Sequence, residues 1–291
     1  MAGNYRLIGK DFTPPDVYGK VTGQARYAED FRAEGMLFAK LLLSPMPHGR
    51  VRRLDVSRAQ RMNGVVAILT PDDVPQVPPG QEPILAREPM YMGEPIAAVA
   101  AVDEVTAAAA VEAIQLDMQL LPFVTDPLDS LRPGGPDAST AGNVFYEGVR
   151  RLKWTARDFA AAGDSQLPMG EAAVEWSYGD VEAGFREAAL VLDETFVTQA
   201  NAHHSMEPRS AMAYWQNGKC YLHASLQSVA NAAPGIASLL GIRPQDLVLI
   251  SENTGGGFGS KATGYPQLAI PALLSRKAGG RPVMMRVTRL E

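Results

Sequence analysis

Four glycines in five positions, Gly255 to Gly259, interrupt an otherwise apolar and regularly patterned region, and they constrain the fold more than any other feature. The short apolar run at residues 247–250 predicts a buried strand before them, and the alanine- and leucine-rich residues after them predict a helix. Without Cβ atoms, such a loop can adopt positive φ and lets a ligand approach its N–H groups closely. Because successive N–H groups and a following helix N-terminus favour negative charge, the loop suits an anionic or oxygen-rich ligand. Phe258 is expected to lie beside that ligand rather than in the core.

Two common phosphate-binding loops have different sequences. A P-loop requires glycine directly before lysine and Ser or Thr directly after it, whereas Lys261 follows Ser260 and precedes Ala262. A dinucleotide-binding loop requires a third glycine where Ser260 stands and an acidic residue about 20 positions later, but no Asp or Glu follows before Glu291. The P-loop is therefore excluded, and a nucleotide-dependent α/β enzyme is a weaker alternative.

Composition and charge argue against several classes of function. With 291 residues, 46% of them hydrophobic and 20% charged, the chain has room for two ordinary globular domains. The net charge of -5 and the lack of a dense basic cluster argue against nucleic acid as a partner. The N-terminus has no apolar signal region and no run of about 18 apolar residues occurs, so we expect a cytoplasmic protein without membrane contact. Cys220 is the only cysteine, so electrons from any redox reaction must leave through another polypeptide that holds the iron–sulfur clusters.

The periodicity predicts a mixed α/β chain. Residues 1–16 are polar and contain Pro14-Pro15, so they are expected to form an arm. A small α/β domain is expected at residues 17–129, a linker at 130–168 and a second α/β domain at 169–291. The predicted strands are residues 36–43, 50–55, 64–70, 95–102, 114–121, 190–197, 210–215, 220–225, 247–250 and 281–287, and the predicted helices are 57–62, 104–113, 181–188, 229–240 and 271–277.

Three local signals are specific. Asn217-Gly218, the preferred pair of a type I′ turn, predicts a hairpin between two short strands. Asp103 can cap the alanine-rich helix that follows it. Gly241 is placed to end the helix before it.

Some reactive side chains are better explained by structural roles. Cys220 begins a predicted strand, where buried packing is the expected role of a thiol. His48 falls in a loop and is expected to bond nearby backbone, because no partner acid stands out. His203 and His204, with Glu207 nearby, suggest a metal site, but adjacent residues of a strand point to opposite faces and no third ligand follows at useful spacing.

The motif Gly-Gly-Gly-Phe-Gly-x-Lys, with a strand before it, resembles the cofactor loop of the molybdenum hydroxylases, the xanthine dehydrogenase and aldehyde oxidase family. Other family phrases occur in the same order along the chain. They are Gly23 to Asp30, Ser44-Pro45 through His48, Gly64 to Ala67, Gly93 to Val99, Leu121-Pro122 and Met206-Glu207-Pro208. The resemblance implies a small N-terminal α/β domain followed by the first part of a molybdopterin-binding α/β domain.

The resemblance also implies which residues contact the cofactor. Gly256, Gly257, Phe258 and Gly259 would face the metal's ligands with their N–H groups, and no protein side chain would bind the metal itself. Many family members have a glutamine six residues before the glutamate of the Met-Glu-Pro phrase, close to an oxo ligand. Asn201 stands at that position and Gln199 lies two residues further off, so either could serve. Ser225 and Gln227 occupy a Ser-x-Gln phrase that the family has near the cofactor.

The implied reaction is hydroxylation of an aldehyde or N-heteroaromatic carbon, with water supplying the oxygen. The implied cofactor is molybdenum–molybdopterin, with a cytosine dinucleotide form as one option. A 2Fe-2S subunit and an FAD subunit would accept the electrons. Purine-hydroxylating members commonly have glutamate directly after the loop lysine, and Ala262 stands there, which disfavours xanthine as substrate.

The general-base glutamate of the family is expected outside this chain. Glu207, Glu252 and Glu291 are carboxylates, but none lies in the expected Gly-x-Gly-Glu phrase. We therefore expect the chain to be inactive alone and to require a chain that carries the rest of the molybdenum domain. The alternative from another class is a non-catalytic scaffold or cofactor-binding fragment.

Overall fold

A computed structural model describes residues 6–78, 81–145, 150–151, 153–162, 167–168, 174–194, 196 and 198–289. The chain divides into two units, of which the first comprises residues 1–77, 82–121 and 203–291 and the second comprises 78–81 and 122–202. The part of the predicted linker at residues 163–165 and the carboxylate of Glu291 lie outside the described residues.

The secondary structure alternates between strands and helices along the chain. The strands are β1 (Leu37–Leu43), β2 (Gly49–Asp55), β3 (Val65–Leu69), β4 (Pro95–Ala101), β5 (Gln115–Leu120), β6 (Val144–Phe145), β7 (Arg150–Arg151), β8 (Ser210–Gln216), β9 (Lys219–Ala224), β10 (Leu247–Ile250) and β11 (Val283–Arg286). The helices are α1 (Val17–Val21), α2 (Ser57–Gln60), α3 (Glu104–Ala113), α4 (Pro127–Leu131), α5 (Ala156–Ala162), α6 (Val181–Glu187), α7 (Val229–Leu240) and α8 (Ala269–Lys277). Among the described helices, none has the length and apolar character that crossing a membrane requires.

A seven-stranded sheet organises the first unit, in the order β10-β9-β8-β11-β1-β4-β3. The β1–β11 and β9–β10 pairs are parallel, and the other neighbouring pairs are antiparallel. Strand β1 pairs with β11 in a register that places Leu37 opposite Val283. Strands from both ends of the sequence therefore share one sheet, and the predicted mixed α/β fold class is confirmed.

The core forms where continuous apolar runs meet apolar helix faces. All seven residues of β4 are buried, as expected for a strand covered on both faces. Helix α8 contributes Ile270 and Leu274 to the largest core cluster, which also contains Ile236 of α7 and Leu222 of β9. The strand that precedes the glycine stretch is therefore attached to a packed core.

The local signals in the sequence correspond to observed geometry. Asn217 and Gly218 have φ of +52° and +74°, so the predicted turn between β8 and β9 is confirmed. The Asp103 carboxylate accepts the N–H of Thr106 at 2.7 Å and caps α3. Gly241, with φ of +64°, ends α7 as predicted.

The second unit contains short elements. Helices α4 and α5 and the two-residue strands β6 and β7 occupy much of the region around the predicted linker. Trp154 and Phe159 meet edge to face with ring centroids 5.5 Å apart, and Arg132 lies 5.4 Å from the Phe159 centroid. Helix α6 is capped by Asp180, whose carboxylate accepts the N–H of Ala183 at 2.9 Å.

One predicted strand is absent. Residues 190–194 and Phe196, in the stretch for which we predicted a strand at 190–197, have no strand structure in the described part of the chain. The prediction was wrong because a strand requires a pairing partner as well as a suitable side-chain pattern.

Candidate functional site

The glycine loop leaves the C-terminal end of β10 and turns back on itself. Gly256 and Gly259 have φ of +93° and +106°, a region that glycine adopts at little cost. Phe258 also has positive φ, at +51°, which is unusual for a residue with a side chain. Its ring is 72% exposed, so it is not part of the core.

Two loop glycines are required by close neighbours. A Cβ atom on Gly257 would lie 2.3 Å from Gln227 Oε1, and one on Gly255 would lie 2.6 Å from Glu207 Cβ. Contacts this short force neighbouring atoms to move, so only glycine fits at these positions without rearrangement. The loop is therefore pressed against two polar side chains from other segments.

Gln227 clamps the loop from one side. Its Oε1 accepts the N–H of Gly259 at 3.0 Å and that of Lys261 at 3.3 Å, and its backbone N–H donates to the Lys261 carbonyl at 2.8 Å. The predicted cofactor ligand thus uses its side-chain oxygen to hold the loop. Its Nε2 makes no hydrogen bond to the described residues and remains available to a ligand.

A buried ion pair supports the loop from beneath. Lys261 is 1% exposed, and its Nζ donates to Ser225 Oγ at 2.6 Å, to the Glu207 carbonyl at 2.9 Å and to Glu207 Oε2 at 3.1 Å. Glu207 Oε2 also accepts the Ser225 hydroxyl at 2.5 Å and the N–H of Gly255 at 2.6 Å. We call Lys261, Glu207 and Ser225 the buried network. It joins the segment before β8, the end of β9 and both ends of the loop.

Burial sets the electrostatics of this network. It lowers the pKa of the Lys261 ammonium, and the Glu207 carboxylate opposes that shift. Because a charge buried without a partner is very unfavourable, the two groups depend on each other. Neither group is placed on the exposed face of the loop.

The loop carries unused donors, of which those of Gly256 and Gly257 belong to a half-buried and a buried residue. In the described part of the chain, nothing accepts a hydrogen bond from the N–H groups of Gly256, Gly257 or Phe258. Nearby, Glu207 Oε1 and Ser205 Oγ are buried without a hydrogen-bond partner among the described residues. The loop therefore has unpaired N–H groups of the kind that an oxygen-bearing ligand accepts, and its binding of such a ligand stays a prediction.

The structure corrects the expected role of a helix N-terminus. Residues 262–268, which include the 3-10 turn Pro266–Leu268, separate the loop from α8. The helix therefore does not follow the glycines directly, and the loop's own N–H groups are its source of positive potential.

The remaining predicted residues have different environments. Asn201 and Gln199 are exposed and belong to the second unit. His203 had not been predicted as a neighbour of the loop, yet a Cβ atom on Gly259 would lie 3.3 Å from its Nε2. The described residues contain no group of three or more His, Cys, Asp or Glu side chains arranged to hold a metal ion.

Two structural assignments are tested directly. Cys220 is fully buried, as predicted, and burial raises the pKa of its thiol to about 12. No partner acid for His48 stood out in the sequence, but its Nε2 lies 3.1 Å from Glu88 Oε1. Sequence could not reveal this contact, since the two residues are 40 positions apart.

Comparisons with known proteins agree with this arrangement. A family model described as "Molybdopterin cofactor-binding domain" matches residues 165–291. A second, described as "Aldehyde oxidase and xanthine dehydrogenase, a/b hammerhead domain", matches residues 22–122. The two descriptions place the matched residues among molybdenum cofactor-binding proteins of the aldehyde oxidase and xanthine dehydrogenase type.

Individual relatives support the same assignment. The chain is 31% identical over 286 residues to a probable xanthine dehydrogenase subunit of Bacillus subtilis, a match that covers 95% of this chain and 34% of the relative. It is 27% identical over 268 residues to the nicotinate dehydrogenase large molybdopterin subunit of Eubacterium barkeri, covering 90% of this chain and 57% of the relative.

Among solved structures, quinoline 2-oxidoreductase from Pseudomonas putida 86 superposes with a TM-score of 0.75 at 27% identity, over 97% of this chain and 34% of that one. Aldehyde oxidoreductase from Desulfovibrio gigas gives 0.71 at 25% identity, over 94% of this chain and 29% of that one. The chain belongs to the xanthine dehydrogenase and aldehyde oxidase family of molybdenum hydroxylases. It spans about a third of the Bacillus relative and just over half of the Eubacterium relative.

The residues of the loop fit a molybdenum–pterin group. Three consecutive N–H donors lie in one turn, whose Phe258 is exposed, and Gln227 Nε2 is close by because its Oε1 holds Gly259. The glycines leave the turn without Cβ atoms that would obstruct an oxygen-rich ligand. A group whose metal is carried by the pterin needs such donors rather than a cluster of metal-binding side chains.

Proposed function

We propose that this chain supplies the glycine loop of a molybdopterin-binding subunit, and that the assembled enzyme hydroxylates an aldehyde or N-heteroaromatic carbon with oxygen from water. A molybdenum–pterin cofactor, when bound, supplies the two-electron redox chemistry. The electrons leave to partner subunits that carry a 2Fe-2S cluster and FAD. The observation that carries this proposal is the turn with three N–H donors, at Gly256, Gly257 and Phe258, for which the described residues provide no acceptor.

The chain's own residues bind and orient the group. The N–H groups of the turn would donate hydrogen bonds to oxygen atoms of the cofactor, and their positions are fixed before binding by Gln227 and the buried network. Such preorganised donors need no rearrangement when a charge develops on an oxygen during the reaction. Phe258 presents an exposed ring beside the group and limits the approach of water.

Proton removal requires a general base, and Glu207, the carboxylate that contacts the loop, is engaged in the buried network. Glu207 Oε2 is occupied by three donors of the buried network and the loop, so Glu207 acts as a support for the loop. A general-base glutamate from the remainder of the subunit is part of the proposal. Asn201 or Gln199 is proposed to reach an oxo ligand of the metal once the subunit is complete.

The residue directly after the loop lysine, Ala262, is the basis for the proposed substrate class. Ala262 cannot recognise or protonate a purine ring, because its methyl side chain offers neither charge nor hydrogen bond. Relatives named nicotinate dehydrogenase and nicotine 6-hydroxylase support a ring of another N-heteroaromatic type. A kinetic screen of the assembled enzyme should rank pyridine-type rings or aldehydes above xanthine, and xanthine as the best substrate would refute this choice.

The loop is tested by adding one methyl group. Gly257→Ala forces Gln227 Oε1 away from the turn, so the assembled protein should retain at most about a tenth of the wild-type molybdenum and pterin, a loss equivalent to about 1.4 kcal/mol. The matched control is Gly235→Ala in α7, where an added Cβ meets no atom within 4 Å.

Metal and pterin are measured together with the unfolding midpoint of each variant. Full cofactor retention by a folded Gly257→Ala protein would contradict the proposal. A wild-type chain without molybdenum would support a non-catalytic fragment, and a bound nucleotide would support a nucleotide-dependent enzyme.

A further inference from the structure

A cavity lined by arginines lies beside strand β2. Its volume is about 410 Å³, and its charged lining residues are Arg50, Arg52, Asp72, Arg87 and Glu88. Small-molecule sites have volumes of about 300–1,000 Å³, so this cavity has room for a small metabolite. None of its lining residues belongs to the glycine loop or to the buried network. The function proposed for the glycine loop therefore does not account for this cavity.

An irregularity in β2 places Arg52 at the cavity. Two consecutive residues of β5 stand opposite Val51 and Arg53, which leaves Arg52 as an extra residue in β2. Such a bulge turns the side chains of a strand out of their regular alternation. The Val51 N–H donates to the Arg87 carbonyl at 2.9 Å, which joins β2 to the segment that carries Arg87. Guanidinium groups from two segments are thereby brought to one cavity.

The two carboxylates of the cavity already have arginine partners. Arg50 Nη2 donates to Glu88 Oε2 at 3.2 Å, and Arg87 Nη2 donates to Asp72 Oδ1. Arg52 makes no ion pair with the described residues. Because three arginines face two carboxylates, the cavity keeps one positive charge that nothing in the described part of the chain neutralises.

Most arginine N–H groups in the cavity are unused. Arg52 Nε donates to the neutral Gln119 Oε1 at 3.3 Å, and its two terminal nitrogens have no acceptor among the described residues. In the same part of the chain, Arg50 and Arg87 each use one of their five donors. A guanidinium presents its donors as a planar fork that matches two oxygens of a carboxylate or a phosphate. The cavity therefore has both the charge and the donors that an oxyanion requires.

Apolar side chains form the rest of the lining. Val51 and Leu54 are half-buried and Pro71 is buried. An inorganic anion would leave these side chains in contact with water, whereas the carbon part of an organic anion would cover them. Sites that combine apolar side chains with a few placed polar groups are typical of small-molecule binding. The lining therefore favours an organic anion over an inorganic one.

We propose that this cavity binds a small organic anion, a phosphate monoester or a carboxylate. Its oxygens accept hydrogen bonds from Arg52, and from the unused N–H groups of Arg50 and Arg87. Its carbon portion packs on Leu54 and Pro71. The inference is independent of the function proposed for the glycine loop, because the two sites share no residue.

Isothermal titration calorimetry of the full chain tests the proposal, with phenyl phosphate, benzoate and inorganic phosphate as probes. At least one of the two organic anions should bind with a dissociation constant of about 1 mM or less, and at least tenfold more tightly than inorganic phosphate. Tighter binding of phenyl phosphate would assign the site to phosphate monoesters, and tighter binding of benzoate would assign it to carboxylates. No binding of either organic anion, or equally tight binding of inorganic phosphate, would overturn the proposal.

A pair of substitutions on neighbouring residues tests the cavity itself. Arg52→Gln removes the charge that has no carboxylate partner, so the affinity for the organic anion should fall at least tenfold. The matched control is Arg53→Gln, which changes the net charge equally but removes a 70% exposed side chain that pairs with Asp55 and does not line the cavity. Its affinity should equal that of the wild type.

The stability of both variants is measured with their affinity. Both should unfold at the wild-type temperature, because both side chains are exposed. Equal affinities of folded Arg52→Gln and Arg53→Gln proteins would contradict binding in the cavity, since they would show that only the net charge of the chain matters.

Discussion

The glycine loop and residues 190–194 both have backbone N–H groups without an acceptor among the described residues, but their surroundings differ. The loop is held by Gln227 on one side and by the buried network beneath it, so its unpaired N–H groups have fixed positions. The segment at residues 190–194 has exposed apolar side chains and no backbone hydrogen bond in the described part of the chain. A polar surface supported by a satisfied interior is suited to bind a small ligand, whereas residues 190–194 have no comparable support among the described residues.

The largest expected effect is the loss of stability when the buried network beneath the loop is broken. Lys261→Met leaves the Glu207 carboxylate buried without its cation, so the free energy of unfolding should fall by about 3 kcal/mol or more. Urea unfolding of the isolated chain measures this loss. The control is Lys277→Met, whose ammonium pairs with Asp73 at 2.7 Å but whose side chain is 44% exposed, so less than about 1 kcal/mol should be lost. Equal losses in the two variants would show that the network does not support the fold.

The next largest effect is the change of stability with pH that the buried thiol of Cys220 should cause. Burial raises the pKa of Cys220 to about 12, whereas the ordinary value is 9.0. Above pH 9.0 the unfolded chain binds fewer protons at this thiol than the folded chain does, so stability falls as pH rises towards the folded pKa. Relative to Cys220→Ala, the wild type should lose about 1.4 kcal/mol per pH unit in this window. Parallel pH profiles of the two proteins, measured by urea unfolding, would contradict this account.

The smallest effect on stability is expected at the exposed face of the loop. Phe258→Ala removes a ring that is 72% exposed, so the free energy of unfolding should change by less than about 0.5 kcal/mol. The molybdenum content of the assembled protein should nevertheless fall, because the ring lies beside the proposed cofactor site. A loss of stability above about 1 kcal/mol, with full molybdenum content, would assign Phe258 to packing instead.

The sequence predicted those features whose cause is local. The type I′ turn at Asn217-Gly218 and the Asp103 cap depend on a few neighbouring residues, and both were predicted correctly. The apolar run of β4 likewise identified a buried strand. The glycine stretch predicted a loop after a strand, and the positive φ of Gly256 and Gly259 agrees with it, because the absence of Cβ atoms acts within the loop itself.

Features that depend on contacts between distant segments could not be predicted. Lys261 and Glu207 are 54 positions apart, and nothing in either phrase indicates that they form a buried pair. The pairing of β1 with β11 joins Leu37 to Val283, near opposite ends of the sequence. Residues 190–194 show that side-chain pattern alone is not enough to predict a strand. Their pattern is that of a strand, but no pairing partner lies in the described part of the chain.

The most direct test of the central claim is the molybdenum-to-chain ratio of the assembly purified through a tag on this chain, with pterin measured in the same sample. The account predicts stoichiometric molybdenum and pterin in the wild type, lost in Gly257→Ala and kept in Gly235→Ala. An assembly that contains the remainder of the subunit but no molybdenum, or that keeps the metal in a folded Gly257→Ala protein, would contradict it.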